Sequence, residues 1–119
     1  MLLASTDIRI ASAEHARFKF ALLSQGWLGN GPGATLLMKQ LRYADAMRIL
    51  LTDEPFEADE ALRIGLVNEV VPHAELLDRA EALARHIVTL PPFTVRMMKE
   101  FDVRFYYAQT DQAWQVPDL

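Results

Sequence analysis

Four of the chain's five glycines fall within eight residues, in the run Gly26-Trp27-Leu28-Gly29-Asn30-Gly31-Pro32-Gly33. That density defeats helix and strand alike, so the backbone here must reach positive φ or let something approach closely. The spacing matches neither G-x-G-x-x-G nor a Walker A loop, so phosphate binding by those routes has no support. Asn30-Gly31 also satisfies an ordinary turn, and Trp27 also suits a core, so the loop carries an architectural reading beside the ligand-binding one. His15, His73 and His86 lie far apart in sequence, and none has a metal-ligand partner three or four residues on. They read as exposed or cap-proximal histidines, and no metal site is expected. Ser5, Ser12 and Ser24 lack a nucleophile-elbow context. Asp45 and Asp53 are acids, with Asp45 read as a solvated carboxylate. Met38, Met47, Met97 and Met98 read as core filler.

The elements that must position these residues follow from pattern. Residues 2–12 read as the end of a helix running into a strand, with Ile8 and Ile10 on one face of a strand at 7–12. Arg17-Phe18-Lys19-Phe20 alternates and predicts a second strand. Short helices are predicted at 33–41 and 43–51, the second with Tyr43, Met47, Leu50 and Leu51 on one face. Asp53-Glu54-Pro55 breaks the chain. A helix at 58–64 has acids at its start and Arg63 near its end, as the helix dipole prefers, and Gly65 ends it. Residues 66–71 read as a strand. Pro72 opens a long helix to residue 90 with the apolar stripe Leu76, Ala80, Leu83, Ile87 and Leu90. A final helix over 93–107 carries Phe93, Met97, Phe101 and Phe105. Two or three short strands make less than a normal sheet, and the helical stripes need covering.

Composition sets bounds. The 119 residues suffice for one domain, with 51% hydrophobic and 24% charged residues. A net charge of −4 gives nucleic-acid binding no electrostatic support. Cysteine is absent, which excludes disulfides and thiol chemistry and fits a cytoplasmic protein. No apolar run reaches the roughly 18–20 residues of a membrane helix, and no signal-peptide pattern is present.

Several motifs then stand in a recognisable order: Asp7-Ile8-Arg9-Ile10-Ala11-Ser12, Ala16-Arg17-Phe18, Gly29-Asn30-Gly31-Pro32-Gly33-Ala34-Thr35, Tyr43-Ala44-Asp45-Ala46-Met47, Leu51-Thr52-Asp53-Glu54-Pro55-Phe56, and 58–71 from Ala58-Asp59-Glu60 to Glu69-Val70-Val71. In that order and spacing the chain resembles the later part of the enoyl-CoA hydratase/isomerase (crotonase) family. The resemblance implies an α/β fold: a partial crotonase-like spiral, mainly helical with a few short strands, residues 1–119 forming an incomplete domain. It implies an acyl-CoA-processing protein in fatty acid metabolism, a lyase or isomerase that takes a coenzyme A thioester as substrate and uses no other cofactor. The family's oxyanion hole uses two backbone N–H groups from segments that would lie before Met1. Of the two glutamates that hydratases use, the first falls at Met1 and the second at Ala21, which cannot move a proton. Catalytic residues are therefore unknown, and the chain alone is expected to be inactive. The glycine loop falls at the family's acyl pocket, which makes Ala21, Gly26, Trp27, Leu28, Gly29 and Asn30 the expected substrate-binding residues. Trp27 and Leu28 would line the pocket and Asn30 would supply a polar contact. Lys39, Arg42 and Arg48 could meet the CoA phosphates, or form a solvated basic face. Expected partners are acyl-CoA and a homo-oligomer or other partner chain, without nucleic acid or membrane. The alternative is a non-catalytic crotonase-like module that assembles with another chain.

Overall fold

The computed structural model describes residues 3–27 and 32–106. The chain divides into two compact units, Met1–Leu76 and Leu77–Leu119. In the first unit the order is a 3-10 turn at Leu3–Ser5, β1 (Ile10–Ser12), β2 (Arg17–Phe18), a 3-10 turn at Leu23–Gln25, α1 (Pro32–Gln40), α2 (Tyr43–Thr52), β3 (Phe56–Glu57), α3 (Ala58–Arg63), β4 (Glu69–Val71) and a 3-10 turn at His73–Glu75. Helix α4 (Leu76–Val88) and helix α5 (Pro92–Tyr106) follow. The chain is mainly helical with a few short strands, as its pattern implies.

The strands form two separate ladders. β1 pairs in parallel with β4, with Ile10 opposite Glu69, Ala11 opposite Val70 and Ser12 opposite Val71. A parallel pair needs a long crossover, and everything from β2 to α3 lies within it. β2 pairs antiparallel with β3, and Phe18 stacks on Phe56 with ring centroids 5.3 Å apart.

Both predicted strands at the ends of the crossover are shorter than their patterns. The strand predicted at 7–12 starts only at Ile10, because residues 7 and 8 bend and Ile8 is exposed. The strand predicted at 66–71 starts only at Glu69. Gly65 sits at φ 82, the Leu66 N–H reaches back to the Ala61 carbonyl at 2.9 Å, and the Gly65 N–H reaches Leu62 at 3.2 Å. This is the doubly bonded helix stop that a left-handed residue permits. It takes the Leu66 amide out of any ladder, and the Val67 amide also turns to Ala61.

The core is built on small residues. Ala46 and Ala61 are fully enclosed, and Ala58, Leu37, Leu41, Ile49, Ile64, Leu66 and Val67 close around them. The inward face of α2 is Asp45, Ala46 and Ile49, whereas Tyr43 and Leu51 are exposed. The face predicted from Tyr43, Met47, Leu50 and Leu51 is therefore rotated. Alanine wins the inner positions because there is no room for a larger side chain against the neighbouring elements.

Asp45 is buried, against its expected solvation. Arg42 holds Oδ2 at 2.8 Å and Arg63 of α3 holds Oδ1 at 3.2 Å. Glu60 of α3 takes Arg48 of α2 at 2.8 Å and Arg63 at 2.6 Å. The Arg63 side-chain hydrogen bond, ahead of the charges of Arg63 and Arg48, holds the Glu60 carboxyl below its usual range.

In the second unit no residue of α4 or α5 is fully buried. Glu81–Arg85 and Glu100–Arg104 pair four residues apart along the two helices. Phe93, Phe101 and Phe105 are exposed, Phe105 at 88%. Among the described residues no helix is long and apolar enough to cross a membrane.

Two outcomes follow. Ala61→Leu should overpack the core and lower stability by about 1–3 kcal/mol, read as a lower denaturant midpoint. Glu60 has a depressed folded pKa, so its contribution is present above the ordinary glutamate range and lost as pH falls through the folded value. Glu60→Gln should therefore lower the denaturant midpoint at pH 7 and make it less sensitive to pH between about 5 and 3. Unchanged sensitivity would remove Glu60 from the acid response.

Candidate functional site

A pocket of about 210 Å³ opens in the first unit. One wall is aromatic, with Phe18 and Phe20 from β2 and its continuation and Phe56 from β3. Gly33 and Leu37 of α1 and Ile49 of α2 also line the pocket, and Leu3, Ala4 and Leu66 complete it. Helical spacing places Leu37: Ala34, Leu37 and Leu41 lie at i, i+3 and i+7, all buried, so α1 turns Leu37 inward. Arg17 and Lys19 are the only ionisable side chains among the described lining residues. The pocket thus offers a mainly apolar lining with two basic side chains, Arg17 and Lys19, and no carboxylate or histidine among the described lining residues.

The walls carrying Ala4 and Leu66 are held by a buried arginine. Arg9 donates from Nη1 to the Leu66 carbonyl at 3.0 Å, and from Nη2 to the carbonyls of Ala4 at 3.2 Å and Thr6 at 2.9 Å. Nη2 also reaches Gln40 Oε1 of α1 at 2.6 Å. Its backbone exchanges two further bonds with Asn68: Arg9 N–H to Asn68 Oδ1 at 2.8 Å, and Asn68 N–H to the Arg9 carbonyl at 2.8 Å. The sequence alone does not reveal the burial of Arg9, because Leu66 and Gln40, which complete its shell beside the nearby Ala4 and Thr6, lie 57 and 31 residues away.

Directly after Phe20 the chain leaves the pocket through the segment expected to bind substrate. Ala21 adopts φ 62 and is half-buried, Gly26 adopts φ 75, and the Trp27 N–H closes on the Leu22 carbonyl at 3.0 Å. Trp27 is 67% exposed, so it is not a core side chain. Ala21, Gly26 and Trp27 are not among the lining residues of the pocket; they adjoin it along the chain. Leu28, Gly29 and Asn30 lie outside the described residues, as does Met1.

Asp53, the C-cap of α2, secures that segment. Its Oδ1 accepts the Ala21 N–H at 2.5 Å, and its Oδ2 accepts the Ser24 N–H at 3.0 Å and the Ser24 hydroxyl at 2.5 Å. The Ser24 hydroxyl is the chief cause that pulls the Asp53 carboxyl below its usual range, helped by both amides and the Lys19 charge.

The histidines read as scattered are partly brought together. The rings of His15 and His73 meet edge-on at 4.5 Å, and His73 Nδ1 lies 3.1 Å from Ser12 Oγ. Glu14 Oε2 accepts the His73 N–H at 2.7 Å, which lowers the Glu14 pKa. The parallel pairing of β1 with β4 creates this proximity, which spacing could not reveal. Among the described residues no group of three ligating side chains could hold a metal ion. Arg42 and Arg48, considered for CoA phosphates, are engaged by Asp45 and Glu60.

The sequence model of a family described as "Enoyl-CoA hydratase/isomerase" matches residues 1–115. A short-chain-enoyl-CoA hydratase of Clostridium acetobutylicum is 38% identical over 96 residues, covering 81% of this chain and 36% of that protein. An (E)-benzylidenesuccinyl-CoA hydratase of Thauera aromatica is 37% identical over 94 residues, covering 79% and 36%. Among solved structures, an enoyl-CoA hydratase of Mycobacterium avium superposes with a TM-score of 0.88 at 36% identity, over 96% of this chain and 51% of that one. The chain thus spans about a third of the length of these two relatives and about half of that structure.

Replacing Arg9 tests the pocket frame. Arg9→Lys keeps the charge but loses the planar fork, orphaning the buried Leu66 carbonyl and weakening the bonds to Ala4, Thr6 and Gln40, at about 1–3 kcal/mol for an orphaned group. A fall in stability of at least about 2 kcal/mol is expected by denaturant titration, and a fall below 0.5 kcal/mol would contradict the role given to Arg9.

Proposed function

This chain belongs to the enoyl-CoA hydratase/isomerase family, and from that premise we propose that it binds acyl-CoA thioesters, with the acyl chain in the apolar pocket. The observation that carries the reading is the apolar lining formed by Phe18, Phe20, Phe56, Leu37 and Ile49. Ligand pockets have this character, being mostly apolar with few polar groups. Residues Ala21, Gly26, Trp27, Leu28, Gly29 and Asn30 form the outer end of the site in this proposal, because residue 21 follows directly on the pocket-lining Phe20.

The reaction class is hydration or isomerisation within fatty acid metabolism, a lyase or isomerase role. The alanine at position 21 moves the chain away from ordinary hydration and toward other acyl-CoA transformations. On its own the chain is inactive in this reading. General acid–base catalysis contributes about 10²–10⁴-fold, and the described lining residues include no carboxylate or histidine to supply it. The reading carries with it a cytoplasmic location and no cofactor beyond the thioester. A second reading, a non-catalytic module that assembles as a homo-oligomer or with a partner chain, draws on the exposed Phe93, Phe101 and Phe105 of α5.

Calorimetric titration with butyryl-CoA should give saturable binding. In a Trp114→Phe background, Trp27 fluorescence should change as the site fills. Crotonyl-CoA should keep its enoyl absorbance. Absence of binding at ~1 mM ligand would overturn the acyl-CoA reading, that being the weak end of ordinary KM values. Binding without a Trp27 response would remove the loop from the site. Turnover near ~10 s⁻¹, ordinary for enzymes, would overturn inactivity.

A further inference from the structure

We propose that Asp53 is the positioning residue of this site: its carboxylate holds residues 21–27 in the shape that presents the outer end of the pocket. This deepens the acyl-CoA reading and rests on it.

Three features of Asp53 make no sense locally. It caps the C-terminus of α2, where the helix dipole disfavours a negative charge. It adopts φ 52, a conformation that glycine or asparagine usually supplies at helix ends. It is also only 4% exposed, and a buried carboxylate without donors is costly. All three penalties are offset by the same partners, the Ala21 amide and the amide and hydroxyl of Ser24. Charge-assisted bonds of this kind are about twice as strong as neutral ones.

The segment needs holding. Ala21 sits at φ 62, which costs a residue with a Cβ and persists only where the surroundings over-determine it. Residues 21–27 contain one short 3-10 turn and no strand. The clasp spans 32 residues of sequence and joins this segment to α2, whose Ile49 lines the pocket. One end of the segment is thereby fixed to a pocket wall.

The experiment uses the whole chain and three variants. Asp53→Gly removes the carboxylate but suits φ 52. Ser24→Ala removes one donor without touching α2. Asp53→Asn keeps one accepting oxygen and loses the other. Amide hydrogen exchange should speed up about tenfold or more at residues 21 and 24 in Asp53→Gly, with the amides of Ala46 and Ile49 unchanged. Asp53→Asn should restore protection at one of the two loop amides but not both, and Ser24→Ala should loosen residue 24 alone. The butyryl-CoA Kd should rise about tenfold in Asp53→Gly. Unchanged exchange at 21 and 24, or equal acceleration throughout the core, would overturn the clasp. Faster loop exchange with an unchanged Kd would overturn its role in the site. If the unmodified chain binds no butyryl-CoA, the acyl-CoA reading and the site role fall together, while the exchange data still decide whether Asp53 holds the loop.

Discussion

The first unit depends on one guanidinium. Arg9, just before β1, sits where three other segments meet, the turn at Leu3–Ser5, the end of α1 and the chain after α3. Each of the three offers an oxygen that an apolar core would leave unpaired, at a cost of a few kcal/mol apiece. A planar fork with five donors can satisfy several at once, whereas a lysine presents a point charge on a flexible stem. Arg9 bonds the carbonyls of Ala4 and Leu66, both of which line the pocket, and Gln40 Nε2 shares the Ala4 carbonyl at 2.7 Å, so the arginine helps fix two wall positions. The alanine core sets the complementary condition. Ala46 and Ala61 admit close approach of backbones, and the charged pairs Arg63–Asp45 and Arg48–Glu60 then tie α2 to α3 at the edge of that contact.

The acids of α2 show how tertiary partners override local rules. Asp45, Ala46, Ile49 and Asp53 are all buried, and 46, 49 and 53 keep the spacing of one helical face. A buried carboxylate at either end of the helix is costly without donors. Arg42 and Arg63 at one end, and the donors of Ala21 and Ser24 at the other, make both positions stable. The inward face of α2 is therefore polar at its ends and apolar between, a pattern that hydrophobic periodicity does not detect.

What the sequence made legible follows from range. Helices α1, α2, α3 and α5 lie within about one residue of their predicted bounds, because capping signals, Gly65 and the prolines act locally. The helix predicted over 72–90 is instead a 3-10 turn followed by α4, since Pro72 starts a turn before the helix proper. The inward face of α2 and the shared environment of His15 and His73 depend on contacts that cross tens of residues. The apolar pocket was equally invisible: Phe18 and Phe20 read as strand alternation, and only the pairing of β2 with β3 sets Phe18 against Phe56 at a pocket that α1 also lines. Trp27 misleads for the opposite reason. Size and hydrophobicity suggest a core, but the loop's own bonds, Gly26 to Leu23 and Trp27 to Leu22, turn it outward.

The composition of the pocket separates binding from chemistry. An apolar slot lowers the free energy of a bound acyl chain, and does so equally in the ground state and the transition state. Such uniform binding tightens affinity without raising the rate of a chemical step. A rate enhancement requires groups whose interaction grows as charge develops, such as preorganised N–H donors or a poised acid. Among the described lining residues the charges are those of Arg17, already paired with Glu57 at 3.3 Å, and Lys19. Neither a carboxylate nor a histidine stands among these described lining residues. The described lining is therefore suited to holding an apolar group, a contribution to binding that by itself leaves a reaction rate unchanged.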